Sequence, residues 1–169
     1  MISFVFCQKR EPIDFCKEDI KIEINRNKAR VTGTYFFKNL TPYSKRIKFY
    51  YPFPVDSNYL FPDTILLAYP YEKDTVGIYF TMVIEPNTTD SFTIAYEQKL
   101  KNNVFRYITT TTRKWHRPIK EVRFTVILHQ DLSPQINYQI TREQTIGNNR
   151  YYIIKQERFY PSEDLIIKW

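Results

Sequence analysis

DIKIEINRNKARVTGTYFFKN, residues 19–39, decides the fold. Ile20, Ile22 and Ile24 fall on one side of an extended chain, and Lys21 and Glu23 on the other. Successive side chains of a strand point to opposite faces, so this pattern predicts a half-buried strand. NRNK, residues 25–28, supplies turn chemistry. Beyond it Ala29, Val31, Tyr35 and Phe37 share one face, with Arg30, Thr32, Thr34 and Lys38 opposite. The same period recurs outward from here. In KRIKFYY, Ile47, Phe49 and Tyr51 alternate with Arg46, Lys48 and Tyr50. Further strands are expected over residues 64–69, 77–84, 91–100, 104–111, 121–129, 135–142, 150–156 and 165–169. The breaks between them are short and rich in Pro, Asn, Asp and Ser, as in EPNTTD, QDLSP and IGNN. No segment sustains a helical apolar period.

Composition agrees. Of 169 residues, 14 are Tyr and 13 are Phe, against three Gly and only Ala29, Ala68 and Ala95 as alanines. Aromatics suit pleated, half-buried surfaces, and alanine is the strongest helix former. At 43% hydrophobic and 25% charged the chain reads as globular. The expectation is all-β: an antiparallel two-sheet sandwich of about ten strands with little or no helix. It forms one domain over residues 1–169, with 1–17 as an N-terminal arm or edge hairpin.

KFYYPFPVDSNYLFPDTI, residues 48–65, crowds aromatic rings around three prolines. Proline is excluded from central strands, so the chain must leave its ladder near Pro52–Pro54 and re-enter near Thr64. Tyr51 and Phe53 sit at strand-face spacing and are expected in the core, at a sandwich corner. Tyr50, Phe53 and Tyr59 of this corner are also candidate binding residues.

Together, ARVTGTYFFKNLT and KFYYPFPVDSNYLFPDTI resemble the vault protein and inter-alpha-trypsin inhibitor heavy chain domain, and related uncharacterised sandwich domains of bacterial exported proteins. The likeness rests on Phe36, Phe37, Lys38 and Asn39, on Tyr51, Pro52, Phe53 and Pro54, and on FRYITTTTRKWHRPIKEVRFTV and FYPSEDLIIKW. It implies a non-catalytic β-sandwich working outside the cytoplasm.

Chemistry is sparse. No G-x-S-x-G is present, and three glycines leave no phosphate-cradling loop, so no cofactor is expected. His116 and His129 are isolated, and no metal set is read. Cys7 and Cys16 either pair as a disulfide or are two buried thiols. Glu18–Asp19 and Glu163–Asp164 read as solvated strand ends, since strand neighbours diverge. Of the formal net charge of +7, the window 99–123 holds Lys99, Lys101, Arg106, Arg113, Lys114, Arg117, Lys120 and Arg123 against Glu121. A basic stretch with Trp115 and His116 can meet an acidic partner, an anionic polymer or a glycan. Trp115 is either an exposed anchor or a cap on an open end of the core. Asn39 and Asn87 open sequences that match glycosylation acceptors.

The expected function is therefore a non-catalytic interaction module of an exported or surface-associated protein. It would bind another protein through Arg113, Lys114, Trp115, His116 and Arg117 and through the aromatic corner. A polyanion- or carbohydrate-binding module is the alternative, and a hydrolase comes third. The opening MISFVFCQKR lacks the features of a signal peptide, so any export segment is expected outside these residues. No apolar stretch approaches a membrane span.

Overall fold

A computed structural model describes residues 12–169, so Cys7 and the pairing it was expected to make lie outside the described residues. The quoted stretch forms β1 (Ile13–Asn25) and β2 (Lys28–Asn39), antiparallel in the register Ile22↔Val31, with Arg26 at φ 51° in the turn. The next elements are β3 (Lys45–Pro52), β4 (Thr64–Leu67), β5 (Tyr71–Lys73), β6 (Gly77–Ile84), β7 (Thr89–Lys99) and β8 (Val104–Tyr107). A 3-10 turn, Thr110–Trp115, leads to β9 (Ile119–His129). β10 (Gln135–Ile136), β11 (Arg142–Ile146), β12 (Asn149–Phe159) and β13 (Leu165–Lys168) complete the described residues.

Seven strands form one sheet in the order β11-β12-β9-β1-β2-β7-β4. β1 is its middle strand, so residues 13–17 are not the arm or edge hairpin expected of them. β1 pairs in parallel with β9, Ile20 opposite Phe124. The sandwich is therefore mixed rather than wholly antiparallel. A parallel pair needs a long crossover, and here everything from β2 to the 3-10 turn serves as one.

The facing layer is split. One small sheet runs β3-β6-β5 and the other β10-β13-β8. Phe49, Tyr51, Ile78, Phe80, Met82 and Ile84 point inward from the first, and Phe105, Tyr107, Leu165 and Ile167 from the second. All belong to one continuous cluster with the inward residues of the large sheet.

The proline corner crosses between layers. β3 ends at Pro52 in a small sheet, and β4 begins at Thr64 on the edge of the large one. Phe53 is 2% exposed, wedged between Tyr51, Phe61 and Tyr96 at 5.3, 5.3 and 4.9 Å. The buried Gln98 amide donates to the Pro54 and Leu60 carbonyls at 2.8 and 2.6 Å, partners that no ladder supplies here. Tyr59 is buried as well, beneath the Arg106 guanidinium, which also pairs with Asp56 at 2.9 Å. Phe53 and Tyr59 are thus core packing rather than the contact surface expected of them. Asn39 is fully buried too: its amide donates to the Tyr43, Ile84 and Glu85 carbonyls, and its Oδ1 accepts from Thr41. It fastens the β2–β3 turn and is not available as a glycan acceptor.

Candidate functional site

Where the second layer is split, β3 and β8 are the edges of their sheets and both approach the large sheet at one point. Three tyrosines meet there. Tyr35 of β2 places its hydroxyl 2.8 Å from that of Tyr51 of β3 and 2.6 Å from that of Tyr107 of β8. One hydroxyl of the large sheet thus ties both small sheets to it. Three O–H protons serve two bonds, so one donor is left for another acceptor. Burial holds all three phenols, and Tyr96 beside them, well above the usual tyrosine range. They remain neutral donors and acceptors.

A Tyr35→Phe variant is expected to lose about 2–3 kcal/mol, because it leaves two buried hydroxyls unpaired. Tyr51→Phe or Tyr107→Phe removes one bond at the end of the chain and should cost about 1 kcal/mol. Urea titration of the three variants checks this order.

Between the layers at this point lies a cavity of about 390 Å³. Phe15, Tyr35, Phe37, Phe92 and Tyr96 line it from the large sheet, and Phe49, Tyr51, Pro52 and Phe80 from one small sheet. At its mouth stand Lys48, Tyr50, Thr111, Thr112, Lys114, Trp115 and His116. The volume falls within the range of small-molecule sites, and an aromatic wall with few polar groups is their usual chemistry.

One of those polar groups is a carboxyl. Glu18 is 1% exposed and lines the cavity, and its Oε1 has no hydrogen-bond partner. Burial alone pushes its pKa up to about 8. A bulge explains how it came to face inward. The register passes from Phe15↔Phe37 to Lys17↔Phe36, leaving Cys16 as the extra residue. Before the bulge, Ile13 and Phe15 are inward; after it, Glu18, Ile20, Ile22 and Ile24 are. Glu18 is therefore not the solvated strand end expected from its place beside Asp19. The bulged Cys16 donates its thiol to the Phe36 carbonyl at 3.3 Å, and its pKa is raised by burial first and then by Asp14.

The mouth is shaped by the 3-10 turn. The Asp164 carboxylate accepts from the Thr109 and Thr110 amides at 3.1 Å each and from the Thr110 hydroxyl at 2.8 Å. Asp164, expected as solvated, instead bends the threonine run out of its strand. Trp115 then lies over the cavity, 5.2 Å from Phe37 and near Phe15 and Phe49. Of the two readings of Trp115, the structure gives a half-buried cap on the open end of the core. His116 follows at φ 54° and closes the turn onto the Arg113 carbonyl.

Of the expected binding residues, Tyr50, Lys114, Trp115 and His116 converge on this mouth. Arg113 turns aside over the Tyr160 ring at 5.5 Å, and Arg117 does not line the cavity. The basic window is dispersed: Lys99 pairs with Asp63, Arg106 with Asp56 and Lys120 with Asp14. His129 stands on the outside with Asp131, 3.2 Å away. Among the described residues no three His, Cys, Asp or Glu side chains gather as a metal site would need. No helix of the described residues is long and apolar enough to cross a membrane.

No family model matches the sequence, and no curated protein does. Solved structures do match in fold. A candidate nutrient-binding protein of Legionella pneumophila superposes with a TM-score of 0.69 at 16% identity, over 94% of this chain and 67% of that one. An M1 zinc metallopeptidase of Deinococcus radiodurans gives 0.59 at 10% identity, over 93% of this chain. Legionella pneumophila aminopeptidase A gives 0.55 at 11% identity, also over 93% of this chain. The chain spans 42% of the first peptidase and 21% of the second. At these identities the likeness is one of fold alone.

Proposed function

We propose that this chain is a non-catalytic ligand-binding module of an exported or surface-associated protein, and that its ligand enters the cavity between the sheets beneath Trp115. The observation that carries this reading is the meeting of three sheets around one aromatic cavity with an unpartnered carboxyl in its wall. The aromatic corner and the basic loop expected to bind separately contribute to a single mouth, through Tyr50 and through Lys114 to His116. The candidate nutrient-binding protein among the structural relatives agrees with a binding role, and the resemblance to sandwich domains of exported proteins agrees with the location. An acidic polymer or a glycan is the competing occupant of the loop. Against the polymer stands the pairing of three of the basic residues with acids on other elements.

A Trp169→Phe background leaves Trp115 as the sole tryptophan reporter. In a small-molecule screen, a ligand at about a hundred times its Kd should stabilise the fold by about 2.7 kcal/mol and raise the melting temperature by about 5–10 °C. The same ligands should shift Trp115 emission. Thr112→Phe, which fills the mouth and adds no second tryptophan, should abolish both effects, and the loss of its hydroxyl's bond to the Thr109 carbonyl should lower the melting temperature of the free protein by no more than about 4 °C. Hits that bind the blocked variant as well as its parent would place binding elsewhere. Salt-sensitive heparin retention without any small-molecule hit would favour the polymer.

A further inference from the structure

A buried carboxyl without a partner is costly to keep. A core position among aromatic rings accepts Leu or Gln more readily, because an isolated ionised group loses its hydration and gains nothing in return. Glu18 sits at the middle of the large sheet, opposite Tyr35 on β2 and Val122 on β9. Lys17 pairs with Glu121 on the same strands but on the outer face, and no cation of the described residues reaches Glu18. The free carboxyl is held neutral by its proton, and a charge to balance its ionised form can reach it through the cavity. Around the same space stand four phenol rings, Tyr35, Tyr51, Tyr96 and Tyr107, whose π-systems and oxygen lone pairs both attract cations.

Resting on the binding role argued above, we propose that the cavity takes a small organic ammonium ion, seated on the Glu18 carboxylate among the tyrosine rings, with its apolar body against Phe37, Phe49 and Phe92. An ammonium group carries up to three N–H donors. Glu18 offers an unpartnered Oε1, and the tyrosine hydroxyls offer further acceptors. Lys48, Lys114 and His116 at the mouth oppose a cation, so the preference for an ammonium has to come from Glu18 and the tyrosines around it. Seating the ion requires Glu18 to give up its proton to solvent, so one proton is released for each ligand bound while the free carboxyl is protonated.

Three probes of one shape and different charge test this: phenethylammonium, phenethyl alcohol and phenylacetate, titrated calorimetrically into the intact chain. At about pH 8 the ammonium should bind at least tenfold more tightly than the alcohol. Glu18→Gln should erase that preference while leaving the alcohol's affinity within about threefold. From about pH 6 to pH 7 the ammonium's affinity should rise about tenfold, with a heat that depends on the buffer's own ionisation, and the gain should level off above about pH 8. The titratable groups around Glu18 are the four tyrosines and Tyr138, and Lys48, Lys114 and His116 line the same cavity at its mouth. A His116→Asn variant should keep the same slope.

Equal or tighter binding of the alcohol or of phenylacetate overturns the ammonium assignment. So does a failure of the ammonium to bind, or a preference that survives Glu18→Gln. If neutral or acidic library ligands are then blocked by Thr112→Phe, the cavity still binds and only the ligand class falls. If nothing binds, both fall.

Discussion

Glu18→Gln is expected to make the protein more stable by about 3–5 kcal/mol at pH 8.5, while changing it little near pH 4. The carboxyl titrates near its ordinary value of 4.5 when the chain is unfolded and at about 8 when burial surrounds it in the fold. Between those values the folded protein holds a proton that the unfolded chain has lost. Stability therefore falls with rising pH across this window: it is fully present below 4.5 and fully lost above 8. A shift of this size corresponds to about 5 kcal/mol as an upper bound. Glutamine keeps the shape and cannot ionise, so it removes the slope and leaves only the cost of a buried amide. Urea unfolding of both proteins at several pH values reads the effect directly. Parallel curves, with no convergence toward acid, would mean that Glu18 is solvated or paired.

The position of this carboxyl was open to reading in the sequence. Glu18 has the parity of Ile20, Ile22 and Ile24, and parity alone puts it on the core face. The general rule that carboxylates avoid cores pulls the other way, and Glu18 departs from it, as Asp14 on the same strand does beside Lys120. What no local pattern shows is the bulge at Cys16, which depends on the register with β2. The alternation that placed β1, β2, β6, β9 and β12 was legible because each has one face in the core and one in solvent. The parallel pairing of β1 with β9 was not, because nothing in either strand's own pattern names its neighbour.

Two segments depart from their own alternation for non-local reasons. TTTT, residues 109–112, is β-branched and resembles a strand, yet the Asp164 carboxylate captures its amides and turns it into the 3-10 segment that carries Trp115. Residues 135–142 alternate as a strand should, but Gln135 and Ile136 alone pair with β13, residues 137–141 lie in no strand, and Arg142 already opens β11 against β12. Asn137 ends the ladder by bonding its own side chain to the Asp164 carbonyl and the Ile166 amide. The mouth of the cavity is built from such side-chain-to-backbone contacts, and that is why its residues were read as two separate surfaces.

Gly33→Val is expected to be the most damaging change away from the cavity wall, at about 3–5 kcal/mol. Gly33 holds an inward position of β2 between Val31 and Tyr35, opposite Ile20 and Ile94. The Tyr35 side chain folds back over it. A Cβ at this position would overlap the Tyr35 hydroxyl, and would lie 2.7 Å from its Cζ and 2.8 Å from Ile20 Cδ1. An exposed side chain would swing aside at little cost. Tyr35 cannot, because its hydroxyl is held by Tyr51 and Tyr107 on two other sheets, and its ring stacks on Phe92 at 5.0 Å. Moving it combines overpacking with the loss of two buried hydrogen bonds. The absence of a side chain at Gly33 is thus what lets one phenol reach across the sandwich and fix the two halves of the split layer. Denaturant unfolding of Gly33→Val beside Gly33→Val with Tyr35→Phe separates the contributions. The two losses should be strongly non-additive, because once the hydroxyl is gone the ring is free to yield. Simple addition would mean that Tyr35 is not the atom group that makes glycine necessary there.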